Sequence, residues 1–417
     1  VSEIGVLVVD DSALMRNLVS RIITSAPDLT VVGTAMNGQF ALDKIPRLNP
    51  DVIVLDLEMP EMNGIDFLRA RREREIDIPV IILSSIAKKG AQVTMDALAL
   101  GAGDFITKPS GAVSHNIHQV GEELIALVRG FGTRYRRAKG SRVPEPPADH
   151  AISPGPVEID TSDLDETDSS QHAPPKPVAP PPAADTAPPK SAAPPAASPT
   201  GIRPDRAKGA IPRTPKEQPG TLELIVIGIS TGGPNALRKV LAEISGDLGV
   251  PVVIVQHMPA GFTTEFAQSL NRISSLEIKE ATEGDVLKPN RVLVAPGNYH
   301  IEVERRSLAG IVHISQEPPV NGHRPSAGVL FRSAARHYGK HAMAVIMTGM
   351  GRDGAYEIGE IYEAGGMTIG QDEATSVVYG MPRVAQEAGY LHRQVPLHEI
   401  ASVIGDMARE LRGPAAS

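Results

Sequence analysis

The chain has 417 residues, of which 41% are hydrophobic and 22% charged, with a formal net charge of −8; this predicts two or three water-soluble domains and argues against a dedicated nucleic-acid-binding face. The absence of cysteine excludes disulfides, zinc–thiolate sites, iron–sulfur clusters and any thiol nucleophile. No apolar run approaches the roughly 18 residues of a membrane span, and Val1-Ser2-Glu3 lacks a basic leader, so a cytoplasmic protein without membrane insertion is expected.

Residues 1–135 alternate strand and helix patterns. Apolar runs at 6–9, 31–35, 52–55, 80–83 and 104–106 are each followed by a helix-compatible stretch. Five such units predict a doubly wound, five-stranded parallel sheet with helices on both faces. Function in such sheets gathers at the carboxyl ends of the strands. Those ends carry Asp10-Asp11, Asp56, Ser84 and Lys108-Pro109. Singly, an acidic pair, a serine or a Lys-Pro after a strand is a cap or turn. Together, in this order, they describe an acidic pocket for a phosphate. Asp10, Asp11 and Asp56 would repel one another without a hard, oxygen-liganded cation, for which Mg²⁺ is the natural choice. A carboxylate beside such an ion can act as nucleophile toward a phosphoryl group. Lys108 would pair with that group, and the Ser84 hydroxyl would hydrogen-bond to it.

Twenty of the 37 prolines fall in residues 141–220, and no Phe or Tyr occurs from Arg136 to Gly261. Such a stretch cannot bury enough apolar area to offset chain entropy. Residues 136–220 are therefore expected to be a disordered Pro/Ala-rich linker, spanning on the order of 50 Å if flexible and more where polyproline II stiffens it. The acidic patch at 158–168 within it reads as a solvated spacer, with a docking motif as the alternative.

Residues 221–417 are expected to form an α/β domain with a mostly parallel sheet. A nearly continuous apolar run at 222–229 leads into Gly228-Ile229-Ser230-Thr231-Gly232-Gly233-Pro234 and an amphipathic helix from Asn235. Glycines allow a tight turn and Pro234 suits the first helical turn, so Ser230 would stand at a helix N-terminus whose N–H groups can receive an oxyanion. The G-x-S-x-G pattern is that of a nucleophile elbow; a phosphate-cradling glycine turn is the rival, without a Walker lysine to support it. The next strand, 251–256, delivers His257. A later one, 342–347, runs into a glycine-rich turn carrying Asp353. Nucleophile, base and orienting carboxylate can thus converge at three strand ends. From the residues alone, His323, just before a helix, remains a competing base.

Two resemblances add to this reading. VLVVDDSALMR, VLDLEMPEMNGIDFL, LSS and DFITKP resemble the response-regulator receiver domain over essentially all of 1–125, with its flavodoxin-like fold. The resemblance implies Asp56 as phospho-acceptor, Asp10 and Asp11 as Mg²⁺ ligands with it, Lys108 as the supporting lysine, and Ser84 and Phe105 as switch residues. Phe105 has no hydroxyl, so its part would be packing only. It also implies a frequent cis bond before Pro109. GISTGGP, VQHMP, NGHRPS and MTGMGRDGA resemble the catalytic domain of the CheB-type chemotaxis protein-glutamate methylesterases over about 221–410.

The second resemblance implies Ser230 as nucleophile, His257 as general base and Asp353 as its orienting carboxylate. Thr231 and Met350 would line the active site, with the Met350 N–H as an oxyanion donor, and His323 and Arg324 would lie at the substrate cleft outside the triad. The activity implied is hydrolysis of glutamate γ-methyl esters, and deamidation of glutamines, on methyl-accepting chemoreceptors, with no cofactor for the esterase step. A chemotaxis histidine kinase would donate the phosphate, and the unphosphorylated receiver would obstruct the cleft. The family commonly continues HRPS with Val-Asp where this chain has Ala327-Gly328. The linker is also longer than the family's compact one, from which weaker autoinhibition is expected. The alternatives are a phosphorylation-dependent binding protein and a serine hydrolase for another ester.

Overall fold

The computed structural model describes residues 3–85, 88–108, 116–141 and 218–411, all within one compact unit. The acidic patch, Pro109 and most of the expected linker lie outside the described residues.

The N-terminal part is a parallel five-stranded sheet in the order β2-β1-β3-β4-β5. Its elements are β1 (Ile4–Val9), α1 (Ala13–Thr24), β2 (Leu29–Ala35), α2 (Gly38–Leu48), β3 (Val52–Asp56), α3 (Gly64–Glu73), β4 (Val80–Ser84), α4 (Lys88–Ala99), β5 (Asp104–Thr107) and α5 (Asn116–Ala138). β1, β3 and β4 are buried along their whole length because helices cover both faces of the sheet, which is why they read as unbroken apolar runs. β2, at the edge, is only partly buried. Side chains of Ser12, Asn37 and Asn63 cap α1, α2 and α3 by accepting first-turn N–H groups, so each strand-to-helix turn is pinned at the edge where the acidic residues lie.

The C-terminal part contains a seven-stranded sheet in the order β14-β13-β12-β6-β7-β9-β8, parallel at every pairing. Its elements run β6 (Leu224–Ile229), α6 (Gly233–Glu243), β7 (Val252–Gln256), α7 (Phe262–Asn271), β8 (Glu277–Glu280) and β9 (Arg291–Val294). An antiparallel hairpin, β10 (His300–Arg305) and β11 (Gly310–Ser315), follows. The chain then returns through α8 (Ala327–Tyr338), β12 (Ala342–Ile346), α9 (Ile358–Glu363), β13 (Met367–Gln371), α10 (Met381–Glu387), β14 (Arg393–Val395) and α11 (Leu397–Glu410). The fully buried strands β12, β6 and β7 lie side by side at the centre, and their carboxyl ends position the site. α6 begins at Gly233, two residues before the sequence expectation, with Pro234 in its first turn. Proline's missing N–H costs nothing there.

Candidate active site

Ser230 follows β6 directly. Its backbone N–H donates to Thr348 O beyond β12 (3.0 Å), and the His257 N–H donates to Ile229 O (3.2 Å), so the ladders of three neighbouring strands extend into the site. Gly232, the N-cap of α6, has φ 80°, a left-handed conformation that a side chain would strain; it turns the chain sharply enough to leave Ser230 at the head of the helix. Gln256 closes β7 and clamps the two strand ends: its Nε2 donates to Ser230 O (3.0 Å) and His257 O (3.1 Å).

The three expected residues come together. His257 Nδ1 lies 3.0 Å from Ser230 Oγ, and His257 Nε2 lies 2.9 Å from Asp353 Oδ2. In the serine-protease template the ring is used the other way round, with Nε2 toward the serine. Here β6 and β7 are adjacent, so the serine is reached from the near side of the imidazole. With Nδ1 accepting from the serine hydroxyl, the proton of the neutral ring sits on Nε2 and is donated to Asp353.

Asp353 is 1% exposed and its oxygens are saturated. Besides His257, it accepts from Ser326 Oγ (2.7 Å), Asn321 Nδ2 (3.1 Å) and the backbone N–H groups of Ala327 (2.6 Å) and Gly328 (3.4 Å). The backbone donors belong to the first turn of α8, where the helix field favours an anion. Burial opposes its charge, but the hydrogen bonds from His257, Ser326 and Asn321 outweigh burial and hold the carboxyl well below its usual range.

Ser326 also caps α8, accepting from Gly328 and Val329. The NGHRPS segment is therefore largely a cradle for Asp353, a role the sequence reading did not assign. The small residue at 328 has a reason as well. A Cβ there would lie 2.9 Å from Glu357 Cδ and 3.3 Å from Asp353 Oδ1, so the Glu357 carboxyl fills the space an acidic residue at 328 would need. Burial pushes that carboxyl up.

A cavity of about 610 Å³ opens beside the triad, lined by Ser230, His257, Thr231, Met350, His323 and Arg324 among others. Arg324 is held in place by Asn298 Oδ1 (2.7 Å) and Gln316 O (3.0 Å). His323 makes no hydrogen bond to Ser230 or Asp353; its ring instead lies face-on against His257, which is the imidazole hydrogen-bonded to both. The far wall of the cavity comes from β5 and α5, through Asp104, Phe105 and Glu123. Phe105 stacks on Phe262 of α7 with ring centroids 5.0 Å apart, and Asp104 Oδ2 accepts the N–H of Gly232 (2.6 Å). Burial drives the Asp104 carboxyl up to about 7, against the hydrogen bonds it accepts from Gly232 and Phe105.

At the first sheet's edge, ligand oxygens of Asp10, Asp11 and Asp56 lie within 4.8 Å of one another. Asp10 is 0% and Asp56 3% exposed. Lys108 Nζ reaches both, at 2.9 Å and 2.7 Å. Burial pushes the Asp56 carboxyl up, Lys108 draws it down and Asp10 raises it further. Burial works against the Lys108 ammonium, but its bonds to the two carboxylates hold it above its usual range. Three carboxylates face one ammonium, and every donor is a hard oxygen, so the cluster is consistent with a Mg²⁺ site. Ser84 ends β4 beside this pocket, but its hydroxyl pairs with Thr94 Oγ1 (2.6 Å) rather than with Asp56 or Lys108. Phe105 is not in the acidic pocket.

A family model described as CheB methylesterase matches residues 225–404, and one described as response regulator receiver domain matches residues 6–116. The chain is 48% identical over 406 residues to the protein-glutamate methylesterase/protein-glutamine glutaminase of Treponema pallidum, covering 97% of this chain and 96% of that one. The chain belongs to the CheB methylesterase family. The Treponema denticola protein of the same description is also 48% identical, over 98% of this chain and 99% of its own length. The crystal structure of the Thermotoga maritima CheB methylesterase catalytic domain is 34% identical, covering 45% of this chain and 98% of that one, with a TM-score of 0.44. The acidic pocket lies within the residues matched by the receiver-domain model, and the Ser230–His257–Asp353 cluster within those matched by the methylesterase model. No described helix is long and apolar enough to cross a membrane.

Proposed function

We propose that this CheB-family chain is a cytoplasmic, phosphorylation-controlled esterase of chemotaxis adaptation, hydrolysing glutamate γ-methyl esters on chemoreceptors and deamidating their glutamines. The observation that carries the reading is the unbroken hydrogen-bonded line from Ser230 Oγ through both nitrogens of His257 to Asp353. As Ser230 Oγ attacks the γ-carbonyl carbon, its proton passes to His257 Nδ1. The resulting imidazolium is held by Asp353, whose saturated oxygens keep it ionised and fixed. The tetrahedral oxyanion rests on backbone N–H groups at the cavity wall, those of Thr231 and Met350, because the N–H groups of Gly232 and Gly233 are bonded to Asp104 Oδ2 and Ser230 O. Collapse breaks the bond to the methoxy oxygen, which leaves as methanol with the proton from Nδ1. Water deprotonated by Nδ1 then clears the glutamyl-enzyme. A glutamine substrate follows the same path and releases ammonia.

In the receiver, a histidine kinase supplies the phosphoryl group to Asp56. Asp10, Asp11 and Asp56 would hold Mg²⁺, which supplies charge neutralisation for that transfer. Lys108 stays against the acceptor, and Ser84 turns from Thr94 toward the new group. The Phe105–Phe262 stack and the Asp104–Gly232 hydrogen bond support a receiver that closes one side of the cleft. Phosphorylation must favour the released arrangement by about 1.4 kcal/mol for each tenfold rise in activity.

Mass spectrometry of methylated receptor incubated with the full chain tests the substrate. The expected product is glutamate at the methylated positions. Receptor methyl esters that persist while a small activated ester is cleaved would favour a hydrolase for another ester.

A further inference from the structure

Two hydrogen bonds hold the catalytic imidazole, one at each ring nitrogen. They fix the positions of Nδ1 and Nε2 but do little to resist tilting about the line joining them. The ring of His323 supplies what they lack. Its centroid is 3.8 Å from that of His257, and the two planes differ by 12°.

The segment bearing it is itself braced. Val320 N–H donates to His323 O (3.0 Å) and His323 N–H returns to Val320 O (2.9 Å), closing a turn through Asn321 and Gly322, both at positive φ. The same turn sends Asn321 Nδ2 to Asp353 Oδ1 (3.1 Å). One four-residue turn therefore touches both the base and the carboxylate that orients it.

We propose that His323 is a positioning residue of the esterase reaction, whose ring face fixes the plane of the His257 imidazole and attracts the imidazolium that forms as Ser230 gives up its proton. This rests on the triad reading above. The stacked ring has to stay uncharged to act in this way. Burial lowers the His323 imidazole to about 4, assisted by the charge His257 can carry and opposed by Asp353, so His323 is neutral at pH 7. His323 thus acts through the base and neither takes the serine proton nor requires contact with substrate.

The test compares full-length wild type, His323→Ala and His323→Phe, with Ser230→Ala as the blank. Two rates are read: methanol release from methylated receptor membranes, and labelling of Ser230 by a fluorophosphonate, which needs an activated serine but no receptor. His323→Ala is expected to lower kcat and the labelling rate by about tenfold each, with KM changed less than about twofold. His323→Phe keeps a flat ring and is expected to recover most of both rates. Thermal unfolding of each variant identifies a folding defect, and the Phe variant decides the matter if the Ala variant is poorly folded.

The proposal is overturned if His323→Ala raises KM while labelling is unchanged, since that marks a substrate contact. It is also overturned if a folded His323→Phe is as slow as His323→Ala. A wild type that is neither labelled at Ser230 nor active overturns the triad reading itself. An active wild type with an equally active His323→Ala overturns the stacking role alone.

Discussion

Asp56 and Asp353 are both buried carboxylates at the carboxyl ends of parallel sheets, yet their surroundings treat them oppositely. Asp353 accepts hydrogen bonds from five different residues on both oxygens and is held well below the usual range. Asp56 shares one lysine with Asp10, lies beside Asp11, and is pushed up. A buried carboxylate whose oxygens are saturated is a fixed part of the machinery. One left with too little positive charge has room for a cation and a reacting phosphoryl group. The two sites thus differ in how completely the chain satisfies its own acids.

Neutralising Asp353 has the larger expected effect on catalysis. Asp353→Asn should reduce methanol release by about 10⁴-fold, because an amide can turn its N–H toward the ring and favour the wrong tautomer. Asp56→Asn should leave unphosphorylated activity near wild type but abolish stimulation by a small phosphodonor, and EDTA should do the same to wild type. Steady-state methanol release with and without acetyl phosphate reads both. A phosphodonor that still stimulates Asp56→Asn would remove Asp56 as the switch.

Gly328→Asp adds an acid where the cradle is full. Its Cβ would meet Glu357 Cδ at 2.9 Å, and about 1–3 kcal/mol of stability should be lost, measured by urea unfolding. The same substitution combined with Glu357→Ala should regain part of that loss.

The smallest effect concerns Asp104. Its carboxyl is raised to about 7 where it meets Gly232. A raised carboxylate contributes to the docked arrangement fully below its ordinary range and loses that contribution as pH rises through about 7. Unphosphorylated activity should therefore rise a few-fold more steeply between about pH 6 and 8 in wild type than in Asp104→Asn. Parallel pH–rate curves for the two would deny the receiver contact this role.

Most of the triad and the acidic cluster was legible in the sequence because their residues end apolar strands, and strand order in a parallel sheet brings such ends together. Ser230, His257 and Asp353 follow β6, β7 and β12, which are neighbours. The cradle was less legible. Ser326 and Asn321 reach Asp353 from a segment about 30 residues away in sequence, and no periodicity records a contact of that kind. Gln256 left a faint signal as the polar residue closing an apolar strand. The aromatic at 105 could be read as a packing switch, but its partner Phe262 lies 157 positions along the chain. The departure at Ala327-Gly328 was visible, whereas the carboxyl of Glu357 that occupies the space was not.

In the proposed reaction Ser230, activated by His257 and Asp353, cleaves receptor methyl esters. The most direct measurement is methanol release from methylated receptor membranes by the full-length chain and by Ser230→Ala, at equal concentration and with phosphodonor present. Steady release by the wild type and none above background from Ser230→Ala is expected. Release by Ser230→Ala at the wild-type rate would contradict the proposed reaction.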